Sequence, residues 1–580
     1  MRTQRSGPRA FARTVALTLA VTALGTAPAQ ADPGHLLPNK LLVSSSVFEN
    51  DPSLIKGETL LAPGCTPPNC GVAVANGVYP EVFNNDSVDE HFGITSKIYL
   101  DQLNPNGHLM GSLEVPNSSQ PGITPSSDQM VTSFSSKSEL ALNLSTGGRY
   151  VTFMGYFAPS DQIDTSNGST PGVFDPTDTD PVTAYRTVAQ VDAAGDFKFT
   201  NTNAYSGDNP RAAILNEEEG ANLIYAAGNA GNGSKPIPAG IIAGGGAQVM
   251  TPSLASQILQ EPGFPTPVGS FNITELGDKH DKQSKDNNYR GITVFDNVLY
   301  YTKGSGGNGV NTVYFVDTTG KACPTGVGLP APGAKLPSAA IEPVAEALAK
   351  EELKPDNMCI LKGFPTELKS ATSFPFGLWF ANADTVYVAD EGNGENSYST
   401  STGEYTEAAA DTNSGLQKWV FNQAAGEWKH VYTLQAGLEL GKPYTVPGYP
   451  SGDNPATNLP WSPATDGLRN LTGRVNGDGT ASIYAVTSTV SGGGDQGADP
   501  DKLVAITDPL SAQAQAPGES FRTLRTAGFG EVLRGVSFTP GTGESQGPQG
   551  GFGQGPGLGQ GEGQGPGQGQ GQGQGQGHGH

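Results

Sequence analysis

The chain is 580 residues long and carries 56 acidic side chains against 33 basic ones, a formal charge of −23. That surplus argues against holding nucleic acid or an anionic membrane through bulk charge. Eighty glycines and 45 prolines call for many turns and exclude a largely helical protein.

Residues 1–31 have the parts of an export signal. Arg2, Arg5, Arg9 and Arg13 give a cationic start, 14–26 is an apolar run too short to span a bilayer, and Ala29-Gln30-Ala31 offers small residues for cleavage before Asp32. Losing those four arginines takes the mature charge to −23 − 4 = −27. No later segment is apolar enough to cross a membrane as a helix, so the mature chain is expected outside the cell, with no membrane insertion. The four cysteines fall into two local pairs, Cys65 with Cys70 and Cys323 with Cys359. In an oxidising compartment both read as disulfides, since zinc would want histidines nearby.

From residue 32 to 540 the chain repeats a unit of four β-rich runs, a to d, separated by turn residues. The clearest copy has Tyr289–Asp296, Asn297–Gly304, Val310–Asp317 and Met358–Lys362. The same order recurs from Phe376 to Leu434 and from Leu468 to Leu524. It occurs earlier from Glu139 to Thr200, and more faintly from Arg211 to Ile273. Lys40–Ser45, Ser96–Asp101 and Leu109–Val115 look like b, c and d without an a, whereas Leu533–Thr539 looks like an a with nothing after it. Pairing the last strand with the first three completes a sixth unit and closes a ring without open sheet edges. The fold expected is an all-β, six-bladed β-propeller, with a seventh blade inside a long insertion as the alternative. Ser338–Glu352 adds one short inserted helix, with Ile341, Val344 and Leu348 on one face and Ser338 as N-cap. Beyond residue 541 the chain is almost wholly Gly, Gln and Pro, and its composition predicts a disordered tail for which cell-wall contact is one conceivable role.

One unit, Pro375-Phe-Gly-Leu-Trp-Phe-Ala-Asn-Ala-Asp-Thr-Val-Tyr-Val-Ala-Asp-Glu-Gly-Asn393, resembles the NHL and YVTN repeat propellers. The resemblance implies the propeller fold. It leaves function open, because such rings serve as lyases, lactonases, hydrolases and plain binding platforms.

A ligand would meet the face that carries the b–c and d–a loops. Three b–c loops are long and polar: Ser46–Thr95, Tyr156–Tyr185 and Asp390–Gly415. Their acids offer oxygens to Ca2+, although no spacing matches a known calcium loop, and no cofactor is otherwise implied. The d–a loops repeat Ser-Gly-Asp-Asn-Pro at Ser206–Pro210 and Ser451–Pro455, with a third Asp-Asn at Asp286. Arginine stands at or near the start of four a strands, at Arg211, Arg290, Arg469 and Arg534. Four forked donors converging on a channel suit a carboxylate, a phosphate or sugar hydroxyls, with Asp208, Asp286 and Asp453 as partners of the arginines or the ligand. The plainer alternative is that Asp-Asn serves turns and the arginines lock neighbouring blades. His280, in a d–a loop, is the obvious general acid or base by residue type.

There is no His-Glu-x-x-His, no Ser-x-Asp-x-Gly-x-x-Trp box of sialidases and no Asp-Asp-Pro-Ala opening of propeller phytases. Two functions stay open. One is a propeller that binds an extracellular small molecule, carbohydrate or peptide. The other is an extracellular hydrolase or lyase using Asp, Arg and His at the channel mouth, with or without a divalent cation.

Overall fold

The computed structural model describes residues 34–542 apart from 69, 138, 172–181, 203, 230–245, 253–267, 271, 276–278, 281–287, 305–309, 338–356 and 368–371. The export signal, the Ser338–Glu352 helix and the tail beyond Thr542 therefore lie outside the described residues. No helix among the described residues is long and apolar enough to cross a membrane.

Six antiparallel sheets form the blades of a propeller. Blade one takes its a strand from the C-terminus, Glu531–Phe538, and its b, c and d strands from Leu41–Val47, Thr95–Leu103 and Leu109–Glu114. Leu41 pairs with Phe538 and Val43 with Val536, so the two ends of the chain share one sheet. Blade two runs Asn143–Leu144, Val151–Phe157, Tyr185–Val191 and Phe197–Thr202. Its a strand is shorter than the expected Glu139–Leu144, because Ala141 bridges to Ala212 of the next blade. Blade three has Pro210–Asn216, Leu223–Gly228, Ala247–Met250 and Val268–Ser270. Blade four has Tyr289–Phe295, Val298–Lys303, Thr312–Asp317 and Asn357–Leu361. Blade five has Pro375–Asn382, Thr385–Asp390, Gly415–Asn422 and Glu427–Leu434. Blade six has Ala464–Val475, Thr480–Val490, Lys502–Pro509 and Arg522–Thr526.

Alternation along the strands builds the ring. Leu42 packs toward blade two with Ile98, Leu100 and Phe153, while its neighbours Leu41 and Val43 pack toward blade six with Val486 and Leu503. The same two-sided division gives apolar clusters between blades two and three, three and four, four and five, and five and six. With six interfaces filled, no gap is left for a seventh blade among the described residues. Both cysteine pairs form disulfides, Cys65–Cys70 in the first b–c loop and Cys323–Cys359 onto the d strand of blade four.

The first b–c loop folds back over the ring. Tyr79 and Phe83 from it pack with Phe48 and Phe134, and Tyr79 Oη donates to the Ala498 carbonyl at 2.8 Å. This cluster covers the blade-one and blade-six side of the face where the a strands begin.

Candidate binding site at the channel mouth

Each of the four arginines interrupts its strand. The register of blade three jumps from Pro210 to Ala212, so Arg211 is the extra residue of a bulge. Arg290 lies in the jump from Tyr289 to Ile292, Arg469 in that from Leu468 to Leu471, and Arg534 in that from Leu533 to Gly535. A bulge turns the side chain out of the alternating pattern, here on the innermost strand of a blade. Arg290-Gly291 and Arg534-Gly535 have a steric reason. A Cβ at Gly291 would overlap the Phe376 carbonyl oxygen of blade five, and one at Gly535 the Leu140 oxygen of blade two.

The arginines are buried and close enough to perturb one another. Arg290 Nη2 lies 3.4 Å from Glu391 Oε1, and Arg469 Nε donates to Glu391 Oε2 at 3.2 Å. Burial pushes the Glu391 carboxyl up, but Arg290, Arg469 and Arg211 outweigh it and hold the group below its ordinary value. Arg211 is 5% exposed and has no hydrogen bond or ion pair among the described residues. Its burial, then Arg290 beside it, bring it down to about 9. Arg534 donates through Nη2 to the carbonyls of Phe134 and, at 3.0 Å, Gly497, but its Nε and Nη1 have no partner. Burial and then Arg469 bring it down to about 10.

Arg186 provides the contrast. It is fully buried, and its N–H groups donate to the backbone carbonyls of Gly168, Ala184, Ser166 and, twice, Asp208. That is what a structural arginine looks like when every donor is satisfied.

Several carboxyls surround the arginines. Asp501 accepts from the Leu533 N–H at 2.7 Å through Oδ1, while its buried Oδ2 has no partner. Burial lifts it to about 8 against the pull of Arg534 and Arg469. Asp390 is lifted to about 8 and Asp466 to about 7, again by burial first. Glu139 accepts from Thr132 Oγ1 at 2.6 Å and from Tyr156 Oη, which in turn accepts from Asn209 Nδ2 at 3.1 Å. Among the described residues four guanidiniums thus gather around Glu391 and Glu139, while Asp501, Asp390 and Asp466 are held toward their neutral form.

Of the aspartates singled out in the sequence, two fall within the described residues, Asp208 and Asp453. Asp208 receives Asn229 Nδ2 at 2.6 Å and turns its carbonyl to Arg186. Asp453 is exposed in a two-residue strand, where its neighbour Asn454 is the buried member, bonded to Asn84 and Gly492. Asp286 lies outside the described residues. His280 is not in a d–a loop; Lys279–His280 is a short strand at the outer end of the blade-four sheet, five places from the channel-lining Tyr289–Phe295. A hairpin that continues past Ser270 pairs with Asn357–Leu361 and carries His280 there. Glu391 had a faint signal, an acid directly after the b strand of the best-preserved repeat.

Among the described residues the one group of three potential metal donors is Asp317, Cys323 and Cys359, whose cysteines are joined to each other. A cavity of about 490 Å³ opens at the opposite end of the channel, lined by Asn143, Phe295, Asp296, Trp379, Asp384 and Phe538 among others. It holds none of the arginines, and the unpaired guanidinium groups weigh more for a ligand site than its volume does.

No family model matches the chain, and no curated protein matches it. One solved structure, "NanB plus Optactamide", aligns at 9% identity over 77% of this chain and 47% of its own, with a TM-score of 0.15. The alignment spans less than half of that structure, and so low a TM-score carries no argument about fold or ligand.

Proposed function

We propose that this chain is an exported propeller that binds an anionic ligand, a carboxylate or phosphate group on a small molecule, carbohydrate or peptide, at the mouth of its channel. Arg211 carries the reading. A buried guanidinium without a partner is costly, and an anion bound against Arg211, with Arg290 beside it, would satisfy it. Arg186 supports the contrast, since the same fold supplies backbone carbonyls to a fully buried arginine two strands away. Export, the mature start at Asp32 and a contact of the tail with the cell wall belong to the same reading and rest on sequence alone.

The test is thermal shift and calorimetry of the full mature chain with acetate, a sugar acid, inorganic phosphate, a sugar phosphate, a neutral sugar and Ca2+. Anions should raise Tm in a saturable way and the neutral sugar should not. Arg211→Lys should weaken that binding at least tenfold, because lysine keeps the charge and loses the planar fork. Indifference to every anion, or equal binding by Arg211→Lys, would overturn the reading.

Asp501 favours a second reading, a hydrolase. A carboxyl lifted to about 8 keeps its proton at neutral pH and could protonate a leaving group beside Arg469 and Arg534. Under this reading Asp501→Asn abolishes turnover of an anionic substrate and leaves its binding intact.

A further inference from the structure

Blades five and six share a second buried cluster, away from the channel mouth. Lys418, on the c strand of blade five, lies with Nζ 2.8 Å from Oδ2 of Asp508, on the c strand of blade six, and both side chains are fully shielded from solvent. Tyr432 Oη donates to Asp508 Oδ1 at 2.6 Å, and Tyr387 Oη donates to Oδ2. Lys418 Nζ also reaches Tyr432 Oη at 3.0 Å and the carbonyls of Pro509 at 2.7 Å and Ala512 at 3.2 Å. The carboxyl of Glu519, after the c strand of blade six, lies near enough to Asp508 to be perturbed by it, and its buried Oε1 has no hydrogen-bond partner. Burial first, then Asp508, lift Glu519 to about 7, so it stands beside the pair as a proton donor.

We propose that Lys418 and Asp508 condense into an isopeptide bond that staples blade five to blade six. The first step passes one proton from Nζ to Oδ2 across their 2.8 Å contact, which leaves an amine facing a carboxylic acid. The neutral amine is a nucleophile, and it already lies beside an oxygen one bond from Cγ. The Nζ lone pair attacks Cγ and forms the new N–C bond, pushing charge onto Oδ1, where the Tyr432 phenol donates. Glu519 gives its proton to the Oδ2 hydroxyl, the Cγ–Oδ2 bond breaks and water leaves. Glu519 then takes a proton from the nitrogen and ends as it began. No oxidant or cofactor is consumed. The amide keeps one N–H, which the Pro509 carbonyl can accept.

The purified full chain, reduced and denatured, should weigh less than its sequence by the mass of one water. A protease digest should yield one branched peptide joining the segments of Lys418 and Asp508. Glu519→Gln should show the full mass and two linear peptides. Asp508→Asn should lose ammonia in place of water. Lys418→Arg removes the nucleophile, but the wild-type digest and Glu519→Gln decide the matter even if that variant fails to fold. A wild-type chain of full mass with both peptides linear overturns the proposal, and so does a missing water that maps to any other pair. A branched peptide in Glu519→Gln at the wild-type level overturns the proton-transfer step.

Discussion

The two arginine environments predict opposite mutational outcomes. Arg186→Met leaves five donor contacts to buried carbonyls unmade and should cost at least about 3 kcal/mol in a denaturant melt. Arg211→Met removes a buried charge without a partner, so Tm should hold or rise while anion binding is lost. A fall in Tm comparable to that of Arg186→Met would mean that Arg211 holds the fold. The buried aspartates set a pH dependence. A carboxyl lifted in the folded state contributes stability that is full below its unfolded value and is lost as pH rises through the folded one. Asp390 and Asp501 at about 8, and Asp466 and Asp499 at about 7, therefore make Tm fall between about pH 4 and about pH 8. Glu391, held low, works the other way and loses its stabilisation only in more acidic solution. Melts across this range should slope downward, and Asp501→Asn should flatten them; a level wild-type profile would contradict the burial argument. At this scale the sequence was only partly legible. The arginines could be named because each falls at or near the start of a β-rich run in the sequence, although the structure begins the last two strands earlier, at Ala464 and Glu531. Their carboxylate could not, because Glu391 lies in Asp390-Glu391-Gly392-Asn393, which reads as turn chemistry. Asp453 sits in a like sequence context to Asp208 yet is exposed, since its loop forms its own small hairpin.

Strands were the easier objects to read. β-branched and aromatic runs bounded by glycine mark them, and the interfaces confirm the alternation of Leu41, Leu42 and Val43. The bulges were not foreseen, because an extra residue in one strand leaves the composition unchanged. The repeated Arg-Gly was their trace, the glycine marking where the next a strand comes too close for a side chain. Gly535→Ala should accordingly cost about 1–3 kcal/mol, as the neighbouring strand must shift. Gly111→Ala, on the outer strand of the same blade with open space around it, should be neutral or slightly stabilising. Equal melts for the two variants would contradict the close approach. The hairpin at Asn272–His280 shows the limit of reading strands one blade at a time. Its runs continue the third unit in sequence, but they pair with the fourth.

The closure of the ring was legible because the inventory balanced: three strands lacked an a, and one a lacked a blade. The structure extends the closing segment to Thr542, whose Oγ1 accepts from the Asn39 N–H, while Gly541 N–H donates to the Gly148 carbonyl at 2.8 Å. Deleting 543–580 removes none of these contacts and should leave Tm unchanged. Deleting 535–580 removes most of the closing strand and should prevent a cooperative melt; similar melts for both truncations would sink the six-blade closure. The clasp between the chain's ends also imposes an order in time. Asn39 and Thr542 are 503 residues apart in sequence, so blade one stays incomplete until Glu531–Phe538 has been made. At ribosomal speeds its first strand waits on the order of 25–100 s for a partner. A contact of such long range is slow to find again from the denatured state. Refolding should therefore stall at an open ring whose unpaired edge is free to join a second chain, and the yield of native protein should fall as its concentration rises.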